Sequence, residues 1–177
     1  MKVKNTGIEG CLVIEPEVFS DSRGFFLESY QLDRYRALGI KQNFVQDNHS
    51  HSCLGVIRGL HFQRTKPQGK LVRVVRGEVF DVAVDIRQDS PTFGQWFGIN
   101  LSESNKWQLW LPPGLAHGFA VISDVADLEY KCTDYYDSAD EGCLIWNDRQ
   151  IGIDWPLDSP LLSEKDRQGI GFGELFN

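Results

Sequence analysis

The stretch LVRVVRGEVFDVAVDI, residues 71–86, decides the fold class of this chain. Its side chains follow a period of two on both sides of Arg76 and Gly77, with Val82 on one face of the second run and Asp81 on the other. This period is typical of β-strands, and a glycine between two such runs favours a tight turn. The pattern therefore predicts two strands that form a β-hairpin turning near Gly77.

Similar short segments follow along the chain, separated by glycine, proline, asparagine and aspartate. They occupy residues 94–101, 107–111, 118–123 and 126–136. Helical patterns are confined to residues 31–39 and, more weakly, 163–169. Many short strands with little helix predict a mainly β protein, either a sandwich, a jelly roll or a barrel. With no repeat and no linker, we expect residues 1–177 to form a single domain.

The composition excludes several classes of protein. With 41% hydrophobic and 24% charged residues the chain is of the soluble globular type. It contains no run of about 20 apolar residues and no signal-peptide pattern. Four scattered cysteines without a CxxC motif predict reduced thiols in the cytoplasm. The net charge of −7 argues against non-specific nucleic-acid binding. Sheet edges and 12% aromatic residues favour a dimer.

The segment GVIRGLHFQ, residues 55–63, places Arg58 and His61 in an otherwise apolar strand. Two residues three apart point to opposite faces of a regular strand. If both side chains serve one site, the strand has to deviate, and we expect the deviation at Gly59, where a bulge is easily formed.

The histidines also suggest a metal site, but the sequence supports this interpretation less well than a polar site without metal. The spacing Pro-Gly-x-x-His that ends at His117 resembles half of the metal site of a cupin jelly roll. The other half needs His-x-His followed by Glu on a strand, but residue 63 is Gln. The segment His49-Ser50-His51 has the spacing, yet we interpret it as a loop before the strand. The sequence thus favours no metal ligand set and leaves His117 open as a hydrogen-bonded core histidine.

Other polar residues indicate a pocket for an anionic small molecule. Lys70 begins a strand, where its cation either stabilises a phosphate or an oxyanion or is simply solvated. Gln46 and Asn48 share one face of an extended segment. Tyr130 lies in an apolar strand, where a buried hydroxyl requires a partner.

Seven blocks of the sequence together closely resemble the dTDP-4-dehydrorhamnose 3,5-epimerase family, in order from about Glu15 to Asp166. They are SRGFFLESY, FVQDNHS, GVIRGLHFQ, GKLVRVVRGEVFDVAVDIRQDSPTFGQW, QLWLPPGLAHGF, YKCTDYY and SEKD. The resemblance implies a cupin-like β jelly roll that forms homodimers and uses neither metal nor cofactor. It also implies conversion of dTDP-4-dehydro-6-deoxy-D-glucose to dTDP-4-dehydro-L-rhamnose, a precursor for bacterial surface polysaccharide.

The chemistry of that reaction explains the catalytic residue types. The C4 ketone acidifies the hydrogens at C3 and C5, so a base can form an enolate, and an acid on the opposite face can reprotonate it with inversion. By resemblance, His61 is the base, Tyr130 is the acid and Lys70 stabilises the enolate oxygen. Asp166 is the carboxylate that orients His61, and Asp81 is a less favoured alternative.

The resemblance also implies a set of substrate-binding residues. Arg23, Arg58 and Lys165 match positions near the pyrophosphate, and His117 lines the sugar pocket. Glu28, Gln46, Asp47 and Asn48 match the thymidine end, Phe26 and Tyr136 its aromatic contacts, and Glu141 a further substrate contact. Part of this site belongs to the partner subunit in the family, so Arg23 and Glu28 are expected to complete the neighbour's site.

Three alternatives stay open at the level of the sequence. A related enzyme inverts only C3 or only C5, or acts on another dTDP-4-keto-deoxysugar. A metal-dependent cupin oxygenase is less favoured because the His-x-His half of its site is missing. A sugar-nucleotide-binding module without catalysis predicts dTDP binding without solvent exchange at carbon.

Overall fold

The computed structural model describes residues 1–176, which form thirteen strands, two short α-helices and one 3-10 turn. The strands are β1 Lys2–Asn5, β2 Leu12–Glu15, β3 Val18–Asp21, β4 Gly24–Leu27, β5 Gln46–Cys53, β6 Ile57–Gln63, β7 Lys70–Arg76, β8 Glu78–Asp85, β9 Trp96–Ser102, β10 Gln108–Leu111, β11 Leu115–Val121, β12 Val125–Cys132 and β13 Glu141–Cys143. The helices are α1 Leu32–Ala37 and α2 Glu164–Arg167, and the 3-10 turn is Phe172–Glu174. None of the helices in the described chain is long and apolar enough to cross a membrane.

Two antiparallel sheets make up the body of the molecule. The six-stranded sheet has the order β1-β2-β10-β7-β12-β5, and the five-stranded sheet has the order β13-β6-β11-β8-β9. The strands β3 and β4 form a separate two-stranded hairpin. This arrangement confirms the prediction of a mainly β, jelly-roll type of fold with little helix.

The main core lies between the two sheets, and a second core lies on the outer face of the five-stranded sheet. Val72 and Leu128 of the larger sheet meet Val79 and Val121 of the smaller one in the main core. In the second core, the opposite face of β8 packs with Leu60, Leu144 and Phe172. Because both faces of β8 are buried, its polar residues Asp81 and Asp85 are fully buried as well.

The predicted hairpin at Gly77 is wrong, although both strands exist. β7 pairs with β10 and β12, whereas β8 pairs with β9 and β11, so the chain crosses from one sheet to the other at this point. Gly77 has a φ of +75°, and a Cβ there would collide with the carbonyl oxygen of Val125. A period of two reports which faces are buried, but it does not report which strand pairs with which.

The predicted loop at 49–51 is also wrong, because both histidines belong to β5. His49 and His51 lie on the exposed face of this strand, which pairs with β12, and both imidazoles contact the carboxylate of Asp127 at 3.0 Å. Gln46 and Asn48 lie on the other face. The remaining predicted strands and both predicted helices are confirmed, with boundaries shifted by a few residues.

Candidate active site

An irregularity in β6 turns two polar side chains toward one cavity. Gly59 has a φ of +112° and a cis peptide bond to Leu60. The register with β11 shifts at the same place, since Arg58 pairs with Phe119 and His61 with His117. Arg58 and His61 consequently line the same cavity. The deviation expected at Gly59 is therefore confirmed.

This cavity has a volume of about 350 Å³ and lies between the two sheets. Its lining includes Gln46, Asn48, Arg58, His61, Gln63, Gln68, Lys70, His117, Phe119, Tyr130, Tyr136, Glu141 and Lys165. His61 and His117 come from the five-stranded sheet, whereas Lys70 and Tyr130 come from the six-stranded sheet. The volume lies at the lower end of the range for small-molecule sites, roughly 300–1,000 Å³.

His61 contacts a carboxylate that is itself fixed by hydrogen bonds. Its Nε2 lies 2.6 Å from Oδ1 of Asp166, which also accepts the backbone N–H of Gly59 at 3.3 Å. The hydroxyl of Ser163 donates to the other oxygen of Asp166 at 2.7 Å. Burial raises the pKa of Asp166, but these hydrogen bonds outweigh it and hold the pKa below its usual value. Asp166 is thus an anion that fixes the orientation of the imidazole.

Asp81 pairs with a different histidine. Both of its oxygens lie 3.0 Å from Nε2 of His117, and both residues are buried. Of the two carboxylates considered for His61, the structure puts Asp166 beside it and gives Asp81 to His117. The second histidine of the cavity therefore also has a fixed orientation.

Lys70 and Tyr130 lie on the opposite wall without such partners. In residues 1–176, neither the ammonium of Lys70 nor the hydroxyl of Tyr130 makes a hydrogen bond within the protein. Burial lowers the pKa of Lys70, against the opposing charges of Glu141 and Asp81. Burial raises the pKa of Tyr130 to about 12, so its phenol stays protonated near neutral pH. A cation and an O–H donor thus face the cavity unpaired.

A charged cluster lies at the mouth of the cavity. Lys165 contacts both oxygens of Glu141 at 2.8 and 2.9 Å, and the hydroxyl of Tyr136 donates to Glu141 at 2.9 Å. The backbone N–H of Tyr136 donates to Oε1 of Gln46, and Gln63 makes two hydrogen bonds with the backbone of Asp137. The two glutamines therefore fix the loop that carries Tyr136.

Arg58 and Asp47 differ in their relation to the cavity. The guanidinium of Arg58 donates to Oγ of Ser52 at 2.9 Å and to the backbone oxygen of His51 at 3.3 Å, which orients it along the cavity rim. Asp47 points to the other face of β5, where it forms an ion pair with Lys131 at 3.0 Å. The structure does not bring Asp47 into this cavity.

The remaining predicted residues lie on the β3–β4 hairpin or directly after it, and they do not reach the cavity either. Arg23 is paired with Asp21, and Glu28 is paired with Arg34 at 3.0 Å. Phe26 is 70% exposed. Within this chain, these three residues bind none of the cavity side chains.

Sequence reasoning missed three residues near His61. Gln63 positions the 134–140 loop and has no distinctive sequence signal. Ser163 caps α2, and the spacing Ser-x-x-Asp was a readable helix-start signature. Cys143 lies opposite His61 in the pairing of β13 with β6, and its sulfur is 3.9 Å from Asp166. In the described chain, His61, Cys143 and Asp166 form the one group of three whose ligand atoms lie close enough to hold a metal ion.

Comparison with known proteins decides the family. The model of the dTDP-4-dehydrorhamnose 3,5-epimerase family matches residues 5–174. The chain belongs to this family.

Relatives of this chain share most of its length. The dTDP-4-dehydrorhamnose 3,5-epimerase of Pseudomonas aeruginosa is 55% identical over 98% of this chain and 97% of its own. The crystal structure of the Legionella pneumophila 3,5-epimerase in complex with dTDP-4-keto-L-rhamnose matches with a TM-score of 0.95 and 53% identity, over 98% of this chain and 93% of that one. A dTDP-4-dehydrorhamnose 3-epimerase from Streptomyces niveus is 43% identical, over 98% of this chain and 85% of its own.

Proposed function

We propose that this chain is a cofactor-independent isomerase that inverts C3 and C5 of dTDP-4-dehydro-6-deoxy-D-glucose and forms dTDP-4-dehydro-L-rhamnose. One observation carries this proposal: His61 and Tyr130 line a single cavity from two different sheets. Inversion at a carbon next to a ketone requires a base on one face and an acid on the other. A cavity walled by two facing sheets provides both faces.

In the proposed mechanism, His61 removes the proton from C3 or C5. Asp166 holds the ring in place and stabilises the imidazolium that forms, since the carboxylate is ionised and lies 2.6 Å away. Tyr130 then delivers a proton to the opposite face of the enolate, and its raised pKa keeps that proton available. Before the second centre reacts, the imidazolium of His61 loses its proton to solvent and the phenolate of Tyr130 regains one from solvent.

Lys70 is the proposed partner of the enolate oxygen. It is buried, lines the cavity and has no hydrogen-bond acceptor in the described chain, so its ammonium is available to stabilise the charge that develops at the C4 oxygen. His117 lines the same part of the cavity next to Tyr130 and is proposed to contact the sugar.

The nucleotide end of the substrate is proposed to lie at the cavity mouth. Arg58 and Lys165 supply cations for the pyrophosphate. Gln46, Asn48 and Tyr136 line the same side and are proposed to bind the thymidine, with Glu141 holding Tyr136 and Lys165 in position. A dTDP-sugar extends beyond a cavity of about 350 Å³, so further contacts are expected from outside this chain.

A second copy of the chain is the proposed source of those contacts. The β3–β4 hairpin exposes Phe19, Phe25 and Phe26 by 58, 60 and 70%, which is rare on a monomer surface. A lone hairpin of this length is marginally stable without packing. We propose that it packs on the partner subunit and brings Arg23, Phe26 and Glu28 to the partner's nucleotide site, with Asp47 near that interface.

Mixing two inactive variants tests this shared site. His61→Asn removes the base, and Arg23→Ala combined with Glu28→Gln removes the hairpin contacts. In a mixed dimer with a shared site, one of the two sites has every group intact, so a mixture reassorted at equal amounts recovers about a quarter of wild-type activity. No recovery in dimers that have demonstrably exchanged subunits, or a fully active monomer on size-exclusion chromatography, contradicts the proposal.

The reaction itself is tested with the keto sugar in D₂O. Double epimerisation predicts deuterium at both C3 and C5 by NMR, together with the L-rhamno product. Deuterium at only one carbon supports the mono-epimerase alternative, and binding of dTDP without any exchange supports a binding module. Activity that depends on a stoichiometric metal supports the oxygenase-like alternative.

Two further observations support the proposed cellular location and domain organisation of the enzyme. All four cysteines are free thiols, which supports a cytoplasmic location. The family match from residue 5 to 174 supports one catalytic domain spanning residues 1–177.

A further inference from the structure

A thiol lies beside the proposed base and takes no part in the mechanism. Cys143 on β13 pairs in register with His61 on β6, and its Sγ is 3.9 Å from Oδ1 of Asp166. Ligand atoms of His61, Cys143 and Asp166 all lie within 4.8 Å of one another. The thiol is half-buried and has weak contacts only, with this carboxylate and with a backbone carbonyl at 3.8 Å.

The donor set is one that zinc prefers. Imidazole nitrogen, thiolate sulfur and carboxylate oxygen bind Zn²⁺ at about 2.0–2.3 Å, and three protein ligands leave a fourth position for water. Two nitrogen or oxygen ligands of a tetrahedral ion are then roughly 3.3 Å apart. The present separation of 2.6 Å between Nε2 of His61 and Oδ1 of Asp166 is shorter, so the imidazole has to shift slightly into the cavity. The cavity provides the space, because one side of His61 lines it.

An ion can approach this group from two sides. His61 lines the substrate cavity and also a surface groove of about 660 Å³ formed with Leu161 and residues 162–166. Asp166 lines this groove as well. His61 can therefore be reached from the groove even when the cavity mouth is narrowed by Tyr136 and Lys165.

We propose that His61, Cys143 and Asp166 bind Zn²⁺ or a similar thiophilic divalent cation, and that the bound ion inhibits the enzyme reversibly by occupying the base. Binding forms three metal–ligand bonds and releases the thiol proton to solvent, while the imidazole proton of His61 moves from Nε2 to Nδ1, without any redox step. The inhibition rests on the proposed function, whereas the binding itself does not.

Cobalt(II) reports the binding without substrate. Co²⁺ added to the reduced full-length protein is expected to give a thiolate-to-cobalt charge-transfer absorption that zinc abolishes. Cys143→Ala is expected to lose this band and to bind zinc at least about tenfold more weakly. Cys53→Ala is the matched control, because Cys53 is an exposed thiol outside the group, and it is expected to keep both. A band that survives in Cys143→Ala, or that disappears in Cys53→Ala, overturns the proposal.

The second arm measures inhibition. Without metal, Cys143→Ala is expected to epimerise the keto sugar within about twofold of wild type, because the thiol touches no reacting atom. Zinc that lowers wild-type activity about tenfold is expected to spare Cys143→Ala, and a chelator restores the wild type. Equal inhibition of both proteins overturns the proposal. A cobalt band in a protein without epimerase activity leaves the metal site standing and removes the proposed function instead.

Discussion

The two walls of the cavity differ in how far their polar groups are satisfied. On the five-stranded sheet, His61 and His117 each contact a buried carboxylate, Asp166 and Asp81 respectively. On the six-stranded sheet, Lys70 and Tyr130 have no hydrogen-bond partner among residues 1–176. The polar groups of the first wall have their hydrogen-bond partners within the folded protein. Those of the second wall have none in the described chain, and a substrate can supply them.

This difference separates two tasks of a proton-transfer site. The base has to be oriented before the substrate arrives. The carboxylate behind it, Asp166, orients His61 as soon as the protein has folded. The oxyanion partner and the acid have to be available to the substrate, so internal partners would compete with it. A largely buried ammonium without a hydrogen-bond partner, such as that of Lys70 in the described chain, costs stability.

Gly59→Ala is expected to disrupt the ordered wall most severely. A Cβ at Gly59 would lie 2.5 Å from the backbone oxygen of His117 and 2.6 Å from the Cα of Gly118, at a φ of +112°. We expect a loss of at least about 4 kcal/mol in unfolding free energy, or no folded protein. Gly39→Ala is the control, because Gly39 also has a positive φ but has open space around it, and should cost about 1–2 kcal/mol. Equal losses in chemical denaturation would contradict the packing argument.

His61→Asn tests the base on that wall. It is expected to lower deuterium exchange at C3 and C5 by roughly 10²–10⁴-fold while dTDP binding, measured by calorimetry, stays nearly unchanged. His51→Asn, an exposed histidine on the far face of β5, should leave exchange intact. Exchange that survives in His61→Asn means that another group is the base.

Lys70→Met tests the unsatisfied wall. Loss of the cation is expected to lower kcat by roughly 10²–10³-fold, while the melting temperature rises because a buried unpaired charge is gone. Lys66→Met, at an exposed lysine nearby, should change neither quantity. A Lys70→Met protein that is both active and less stable would contradict the claim that Lys70 serves the reaction at a cost in stability.

The pH dependence of the same variant gives a further check. The pKa of Lys70 is lowered in the folded state by burial, so the folded chain loses this proton at a lower pH than the unfolded chain. Wild-type stability should therefore gain a contribution as pH rises from the folded pKa toward about 10.4, the unfolded value, and Lys70→Met should lack it. Wild-type activity should fall over the same range because the ammonium is lost.

Ser163→Ala is expected to have the smallest effect. It removes the cap of α2 and the 2.7 Å hydrogen bond to Asp166, at a cost of about 1 kcal/mol and a few-fold in kcat. Since the pKa of Asp166 is lowered in the folded state, this cost should be present above about pH 4 and shrink as pH falls through the folded pKa. Ser163→Thr keeps a hydroxyl at this position and should therefore retain most of the wild-type stability and kcat. A cost that is unchanged at acid pH would mean that the cap acts without Asp166.

The sequence predicted the elements of the fold better than their pairing. The period of two located the strands, and the polar pair around Gly59 located the irregularity in β6. The crossing at Gly77 was not predictable in the same way, because a hairpin and a change of sheet share one pattern of buried faces. His49 and His51 were misassigned to a loop because both lie on an exposed edge strand with polar neighbours.

The site was predictable to the extent that its residues have distinct sequence contexts. The resemblance identified His61, Asp166, Lys70 and Tyr130 together. The structure brings His61, Lys70 and Tyr130 around one cavity and places Asp166 behind His61. The pairing of Asp81 with His117 and the approach of Cys143 depend on cross-strand register, which local patterns do not encode. In the proposed arrangement, the contribution of Arg23, Phe26 and Glu28 depends on a second subunit, which the sequence of one chain does not describe.

Tyr130→Phe in D₂O tests the central claim that the two walls act on opposite faces of one sugar. The measured quantity is the ratio of deuterium incorporated at C3 and C5 to inverted product formed. With His61 intact and the acid removed, the enolate still forms but is reprotonated from the side of the base, so we expect this ratio to rise at least about tenfold above wild type. An unchanged ratio, with exchange and inversion falling together, would contradict the division of labour between the walls.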